Sequence, residues 1–271
     1  MLRVLSLGAG VQSTTVALMA LRGEIGDRLD AAIFADTGWE PKAVYQHLDW
    51  LERELVGGGI EVHRVSAGNI RALTLRRASG DEVGNHMSSL PFHVANLEGR
   101  HAMLRRQCTT EFKIEPIRKR LRALLDIRPR SPGPREVVAE KWMGISWDEY
   151  QRVRDSDVRW LTHRYPLIER RMTRADCMAW LERNGYPEPP KSSCIGCPFH
   201  HDAYWREMKN ERPGEWADAV EFDAAIRRLP RIKGDAYLHR DLIPLDQVDL
   251  RNDRDLGQLY LLDECKGYCG T

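Results

Sequence analysis

The sequence predicts an α/β fold, a doubly wound and mainly parallel sheet followed by a mainly helical, cysteine-containing C-terminal extension. Three observations predict it. Short apolar runs at Leu2–Ser6, Ala31–Phe34 and Ile60–Val65 alternate with helical patterns at Thr15–Leu21 and Pro41–Leu55, and such alternation builds parallel sheets with helical crossovers. The chain opens as strand, glycine turn and helix from its second residue. Beyond Tyr165-Pro166 the patterns are helical and carry a Cys-x-x-Cys. The expected division is residues 1–170 for the α/β domain and 171–271 for the extension, packed on the first.

The first strand ends at Gly8-Ala9-Gly10-Val11-Gln12-Ser13-Thr14-Thr15, and Val16–Leu21 follows as helix. The second strand ends at Ala35-Asp36-Thr37-Gly38-Trp39. In the next helix Val44, Leu48, Leu51 and Leu55 recur at helical spacing, with Pro41 near the first turn. Ile60–Val65 reads as a third strand and Glu136–Ile145 as a fourth, ending in Gly144-Ile145-Ser146-Trp147-Asp148. Ser66–Gln107, which holds His86, Ser88, Ser89, Pro91 and His93, reads as a loop over a site, since long insertions in α/β proteins often serve as lids. Ile114–Leu124 is helical, and Arg128–Arg135 is a Pro/Gly-rich connector. Thr173 caps a helix to Asn184, stopped by Glu188-Pro189-Pro190. Trp205–Leu229 continues as helix, broken at Pro213.

With 271 residues the chain can bury a large core. Lys and Arg number 41 against 40 Asp and Glu, a net charge of +1, so no global electrostatic footprint points to nucleic acid. No apolar stretch approaches the roughly 18 residues of a membrane span, so no membrane partner is expected. The immediate first strand leaves no room for a signal peptide, and a cytoplasmic location is expected. In that reducing compartment the 6 cysteines read as thiols or metal ligands rather than disulfides.

Ligands of doubly wound sheets bind at the carboxyl ends of the strands. The glycine turn stands there, and its backbone amides with those of the following helix make an anion site. Gly8 and Gly10, on either side of Ala9, allow close approach without a Cβ clash, and Ser13 and Thr14 offer hydroxyls. The spacing is neither the dinucleotide fingerprint nor a Walker loop. Asp36 suits a ribose, a metal or an adenine-side contact, and equally an ordinary helix cap. Cys194-Ile195-Gly196-Cys197 can hold one metal or one cluster edge. Cys108, among Arg105, Arg106 and Lys113, could supply a third thiolate, and Cys265 or Cys269 a fourth. A structural zinc site and a redox pair are the alternatives. His200 and His201 read as surface residues before ligands, and Cys177 as a core residue. Lys113 and Lys141 are the basic residues best placed to meet an anionic substrate.

Taken in order, these segments resemble the PP-loop adenine nucleotide α-hydrolase superfamily, within it the phosphoadenosine phosphosulfate (PAPS) reductase-like branch. Ser6–Thr15 is similar to its modified pyrophosphate loop, and Phe34-Ala35-Asp36-Thr37-Gly38 follows. Cys108-Thr109-Thr110-Glu111-Phe112-Lys113-Ile114-Glu115-Pro116 resembles its Cys-Thr-x-x-x-Lys-x-x-Pro segment. Gly144-Ile145-Ser146-Trp147-Asp148-Glu149 resembles its Gly-Ile-Arg-x-Asp-Glu element, and Tyr165-Pro166-Leu167 its Tyr-Pro-Leu run. The resemblance spans most of residues 1–200. It implies an adenine nucleotide, ATP or PAPS, held by Ser6, Gly8, Ala9, Gly10, Gln12, Ser13, Thr14, Asp36, Lys113 and Gly144. It also implies a [4Fe-4S] cluster on Cys108, Cys194, Cys197 and Cys265, with Cys265 and Lys141 as catalytic residues.

Two reactions compete under that resemblance. In sulfur transfer, ATP adenylates an acceptor, with pyrophosphate released and Mg2+ a candidate counter-ion; the acceptor is a nucleic acid, a nucleoside or a small metabolite. In sulfonucleotide reduction, a tail thiol attacks PAPS or adenylyl sulfate and a thioredoxin-like reductant regenerates it. Three aligned cysteines favour sulfur transfer, which needs a sulfur donor. Gln12 stands where the common loop carries an acid, so a non-catalytic nucleotide-binding subunit with structural zinc is a third reading. A homodimer is an open arrangement.

Overall fold

The computed structural model describes residues 1–79, 90–95, 100–229 and 234–251. In chain order the elements are β1 (Leu2–Leu7), α1 (Val11–Leu21), β2 (Ala31–Asp36), α2 (Lys42–Gly57), β3 (Glu61–Ser66), α3 (Ile70–Ser79), β4 (His93–Ala95), β5 (His101–Met103), α4 (Glu115–Leu124), β6 (Ala139–Met143), β7 (Leu161–Arg164), α5 (Pro166–Glu169), α6 (Arg174–Arg183), α7 (Asp202–Glu211), α8 (Pro213–Ala225) and β8 (Asp235–Tyr237). They form two compact units. The first takes Met1–Asp36, Glu40–Ala67 and Phe112–Ser192; the second takes Thr37–Trp39 and the described parts of Gly68–Glu111 and Ser193–Thr271.

The first unit is a doubly wound parallel sheet in the order β3-β2-β1-β6-β7. Register is set by pairs such as Leu5 with Ala32 and Leu5 with Trp142. Alternation sends Leu5, Leu7, Ala32, Phe34 and Trp142 to one face, under α1, α2 and α6. Val4, Ala31, Ile33, Ala35 and Ala139 go to the other, under Ile117 and Leu121 of α4. Both faces are covered, which is why β2 is almost continuously apolar. Val44, Leu48, Leu51 and Leu55 of α2 are all fully buried, as their spacing requires, and each contributes roughly 1.5–3 kcal/mol of burial. Helix α6 starts at the expected Thr173, which forms a capping box with Asp176.

Several boundaries differ from expectation. Helix α1 starts at Val11 rather than Thr15, because Gly10 takes extended angles and serves as its N-cap. The fourth strand is confined to Ala139–Met143, and a fifth parallel strand, β7, carries the polar run Leu161-Thr162-His163-Arg164 that alternation could not flag. The segment expected as a loop over a site is instead partly regular. Asn69 accepts from the Ala72 N–H at 2.8 Å and starts α3, and β4 joins β5 and β8 in an antiparallel sheet ordered β5-β4-β8. His86, Ser88 and Ser89 lie outside the described residues.

Inside the first unit, His47 of α2 is buried with its Nε2 3.0 Å from the Thr14 hydroxyl of α1. Burial pushes its pKa down to about 4. The unfolded chain therefore binds this proton where the folded one does not, and stability falls as pH drops from about 6.5 to about 4. His47→Gln keeps a partner for Thr14 and cannot titrate. We expect its denaturant-unfolding free energy to fall by about 2–3 kcal/mol less than that of the natural chain between pH 7 and pH 4; equal losses would show that His47 is not the group responsible.

Candidate phosphate cradle and thiol turn

The sheet order places a topological switch at β1: the chain runs outward through β2 and β3, then returns on the other side of β1 as β6. Ligand crevices of open α/β sheets form there, at the carboxyl ends of the strands. Gly8, Ala9 and Gly10 join β1 to α1 at this point. Ala9 is fully buried with φ of +55°, in the left-handed region normally left to glycine. The Gly8 N–H donates to Ser13 Oγ at 3.1 Å, and the Ser13 hydroxyl lies 3.3 Å from the Gly10 carbonyl it donates to. The Ser192 hydroxyl donates to the Gly8 carbonyl.

These bonds revise the expected roles of two residues. The Ser13 hydroxyl braces the turn from within. The Thr14 hydroxyl, fully buried, points to His47, because α1 turns that face into α2. What the turn offers an anion is therefore backbone: the N–H groups of the first turn of α1, which have no partner within the helix and carry the positive end of its dipole.

The end of β6 closes against this turn. A Cβ on Gly144 would stand 2.7 Å from Ser13 N and 2.8 Å from Ser13 Cα, so only glycine permits the approach. The Gln12 carboxamide donates to Glu149 Oε2 at 3.1 Å and reaches Ser146 Oγ at 3.5 Å. Glu149 in turn accepts from Arg152 at 2.6 Å. Gln12 thus clamps the segment after β6 to the cradle; Glu149 enters through the segment that resembles the Gly-Ile-Arg-x-Asp-Glu element, and Ser192 is a participant that residue type and spacing do not flag.

Asp36 ends β2, and its carboxylate accepts from the Tyr45 hydroxyl at 2.8 Å. Burial and this bond raise the Tyr45 pKa and hold the phenol protonated. Ser6 sits one residue short of the end of β1, paired with Ile33 and Met143. Lys113 lies in a π-helical turn, Thr110–Ile114, ahead of α4. Lys141 is buried in mid-β6, beside Val4 and His163 in register. It shares the α4 face with Ala139, opposite the face α1 covers, so the structure does not bring it to the turn. Burial, aided by Arg118, pushes its pKa down to about 8.

The second unit carries the thiols. Cys194, Cys197 and Cys108 are all half-buried and reduced. The Cys197 N–H donates to the Cys194 carbonyl at 3.1 Å, which makes Cys194–Cys197 a closed turn. Cys194 Sγ lies 3.2 Å from Thr37 Oγ1, and Ile195 N–H donates to the Trp39 carbonyl at 2.9 Å. A Cβ on Gly196 would stand 2.1 Å from the Trp39 ring. Two buried histidines brace the carbonyls: His200 Nε2 is 2.9 Å from Cys194 O, and His93 Nε2 is 3.2 Å from Pro198 O. His200 is therefore part of the turn's interior and not the surface residue expected of it. Burial lowers the His93 pKa, so its Nε2–H donates and its Nδ1 accepts from His101 Nε2 at 2.8 Å. Cys177 is fully buried with its thiol pKa pushed up to about 12, as a core residue.

A [4Fe-4S] cluster needs three or four thiolates converging on one volume. Among the described residues, no group of three or more His, Cys, Asp or Glu side chains is gathered to hold a metal. The donor set on view is a two-thiol turn, and it does not by itself fit a cluster. Cys265 and Cys269 lie outside the described residues. Likewise, no helix among the described residues is long and apolar enough to cross a membrane.

No protein-family model matches the chain, and no curated protein sequence matches it. Among solved structures it is similar to the phosphoadenylyl-sulfate (PAPS) reductase from Candida auris in its phosphate complex, at 13% identity and a TM-score of 0.42, over 70% of this chain and 75% of that one. It is also similar to the U34-tRNA thiolase NcsA from Methanococcus maripaludis with its [4Fe-4S] cluster, at 12% identity and a TM-score of 0.39, over 98% and 83%. Likenesses this distant bear no weight on chemistry; the fold stands on the sheet order and registers above.

Gly144→Ala forces a methyl onto the Ser13 backbone and shifts the cradle by a fraction of an ångström. Affinity for inorganic pyrophosphate, the anion such a cradle suits, measured by calorimetry should fall about threefold or more as the helix N-terminal amides leave their places, while far-UV circular dichroism stays unchanged. Unaltered affinity would remove Gly144 from the site.

Proposed function

We propose that this chain is an ATP-using enzyme of the PP-loop type that activates an acceptor for sulfur transfer. One observation carries the reading: a preorganised backbone cradle at the switch point of a parallel sheet, closed by Gly144 on Ser13 and clamped by Gln12 on Glu149. Backbone amides at a helix N-terminus, with no Gly-Lys-Ser/Thr following, suit a pyrophosphate that leaves as a unit.

In this reading the cradle binds the β- and γ-phosphates of MgATP and leaves the α-phosphate toward the acceptor. An acceptor oxygen attacks the α-phosphorus, the α–β bridging bond breaks, and pyrophosphate departs with the electron pair. The cradle's positive dipole end stabilises the charge that develops on it. A sulfur nucleophile from a donor then displaces AMP from the activated carbon. Gln12, held by Glu149, aligns the segment after β6 and acts as a positioning residue. The donor is a persulfide: its outer sulfur passes to the Cys194 thiolate, one of the chain's reduced thiols, and the donor leaves as a thiol. That outer sulfur is the nucleophile that displaces AMP; the Cys197 thiolate then attacks Cys194 Sγ, which releases the thiolated acceptor and leaves a Cys194–Cys197 disulfide for a thioredoxin-like reductant to reopen. The Thr37 hydroxyl lies 3.2 Å from Cys194 Sγ and contacts the first of these thiols.

The test is product analysis with ATP, a persulfide donor, a thioredoxin-like reductant and a pool of transfer RNA, single-stranded DNA and nucleosides. Pyrophosphate release that depends on the pool, with sulfur in the recovered acceptor, is the expected result. Cys194→Ser should cut sulfur incorporation at least tenfold and leave pyrophosphate release within about twofold. Sulfite from PAPS with thioredoxin, and no pyrophosphate from ATP, would replace this reading with sulfonucleotide reduction. Nucleotide binding with neither product would make the chain a binding subunit.

A further inference from the structure

β6 runs out into a 3-10 turn, Trp147–Arg152, that presents aromatic rings to water. Trp147 is 43% exposed and Tyr150 64% exposed, and their ring centroids lie 6.2 Å apart with planes 32° from parallel. Every other Trp, Tyr and Phe side chain among the described residues is buried or half-buried. The turn itself is well fastened. Trp147 N–H donates to the Met172 carbonyl at 2.7 Å, and Asp148 accepts from Arg174 N–H at 3.1 Å. The backbone that carries the pair is thus fastened, and both rings face water.

The platform is rimmed by cations. Arg171 holds φ of +53° and places its guanidinium 5.8 Å from the Trp147 ring centroid. Arg170 and Arg174 beside it are exposed. The acids nearby are engaged: Asp148 by the Arg174 backbone, Glu149 by Arg152 and Gln12, and Glu169 by Arg164. Through Gln12 the turn is bonded to the phosphate cradle itself.

Aromatic faces interleaved with arginines are the chemistry that grips unpaired bases: the π face takes the base whatever its identity, and the guanidinium groups take the backbone phosphates. A duplex hides its base faces and would leave the platform unused. We propose that Trp147 and Tyr150 form a stacking platform for an unpaired base of a single-stranded nucleic acid, with Arg170, Arg171 and Arg174 meeting its phosphates. This rests on the sulfur-transfer reading above and names the acceptor class for that site.

The test is fluorescence anisotropy of labelled 12-nucleotide RNA and DNA, single-stranded and duplex, with ATP affinity measured separately on the same preparations. Single strands should bind at least tenfold more tightly than duplexes. Trp147→Ala with Tyr150→Ala should weaken single-strand binding about 10- to 100-fold, in line with stacking losses at other aromatic platforms. Trp147→Phe with Tyr150→Phe should restore it to within about threefold, which separates stacking from a folding defect. Arg171→Ala with Arg174→Ala should lower the slope of log Kd against log salt by about one to two. Equal binding of duplex and single strand, no loss in the alanine pair, or displacement of the oligonucleotide by AMP at comparable concentration would overturn the proposal. Loss of ATP binding by the natural chain with single-strand binding intact would instead sink the ATP-using reading and leave the platform standing.

Discussion

The contact on which the first unit depends is the one between two backbones, Gly144 against Ser13. Parallel strands 1 and 6 are held in register by their ladder, from Leu2 opposite Ala139 to Ser6 opposite Met143. Each strand must then turn away from its neighbour at the same end. A side chain at residue 144 would pry the two turns apart, since it would meet Ser13 N at 2.7 Å. With glycine there the turns nest. Gln12 reaches Ser146 and Glu149, and the turn after β6, which carries the aromatic pair, is fastened to the cradle.

Polar groups are placed by the same economy of space. The cradle satisfies its own side chains internally, through Ser13, Ser192 and the Thr14–His47 bond. Backbone amides are left as the recognition element. That division suits a ligand of dense negative charge, because fixed dipoles need no reorganisation when charge appears. His47 is neutral for the same reason that Lys141 is weakened: desolvation disfavours the charged form of each. Yet the two sit on opposite faces of the sheet and serve different ends, one joining α1 to α2, the other standing among Arg118, Asp157 and His163 under α4.

In the second unit the thiol turn is controlled through its carbonyls. The Cys194 carbonyl accepts from the Cys197 N–H and faces His200 Nε2, the Cys197 carbonyl accepts from the His200 N–H, and the Pro198 carbonyl faces His93 Nε2. Trp39 fills the volume over Gly196. A turn so tied fixes the backbone from which the Cys194 and Cys197 thiols project.

The sequence by itself determined the fold class, because hydrophobic period and glycine placement are local. The strand–turn–helix opening, the α2 stripe of Val44, Leu48, Leu51 and Leu55, and the Thr173 cap all follow from residues a few positions apart. Candidate groups were legible as types: a glycine turn after a strand, a Cys-x-x-Cys, an acid at the end of β2. Which of them act together was not. Ser13 and Thr14 turned inward and His93 came beneath Pro198, through partners 5 to 105 positions away, and Lys141 fell on the far face of the sheet through a strand register that no short window reveals. Tertiary structure decided those roles, since a hydroxyl or an imidazole bonds whatever packing brings within 3 Å of it, and packing is a property of the whole sheet.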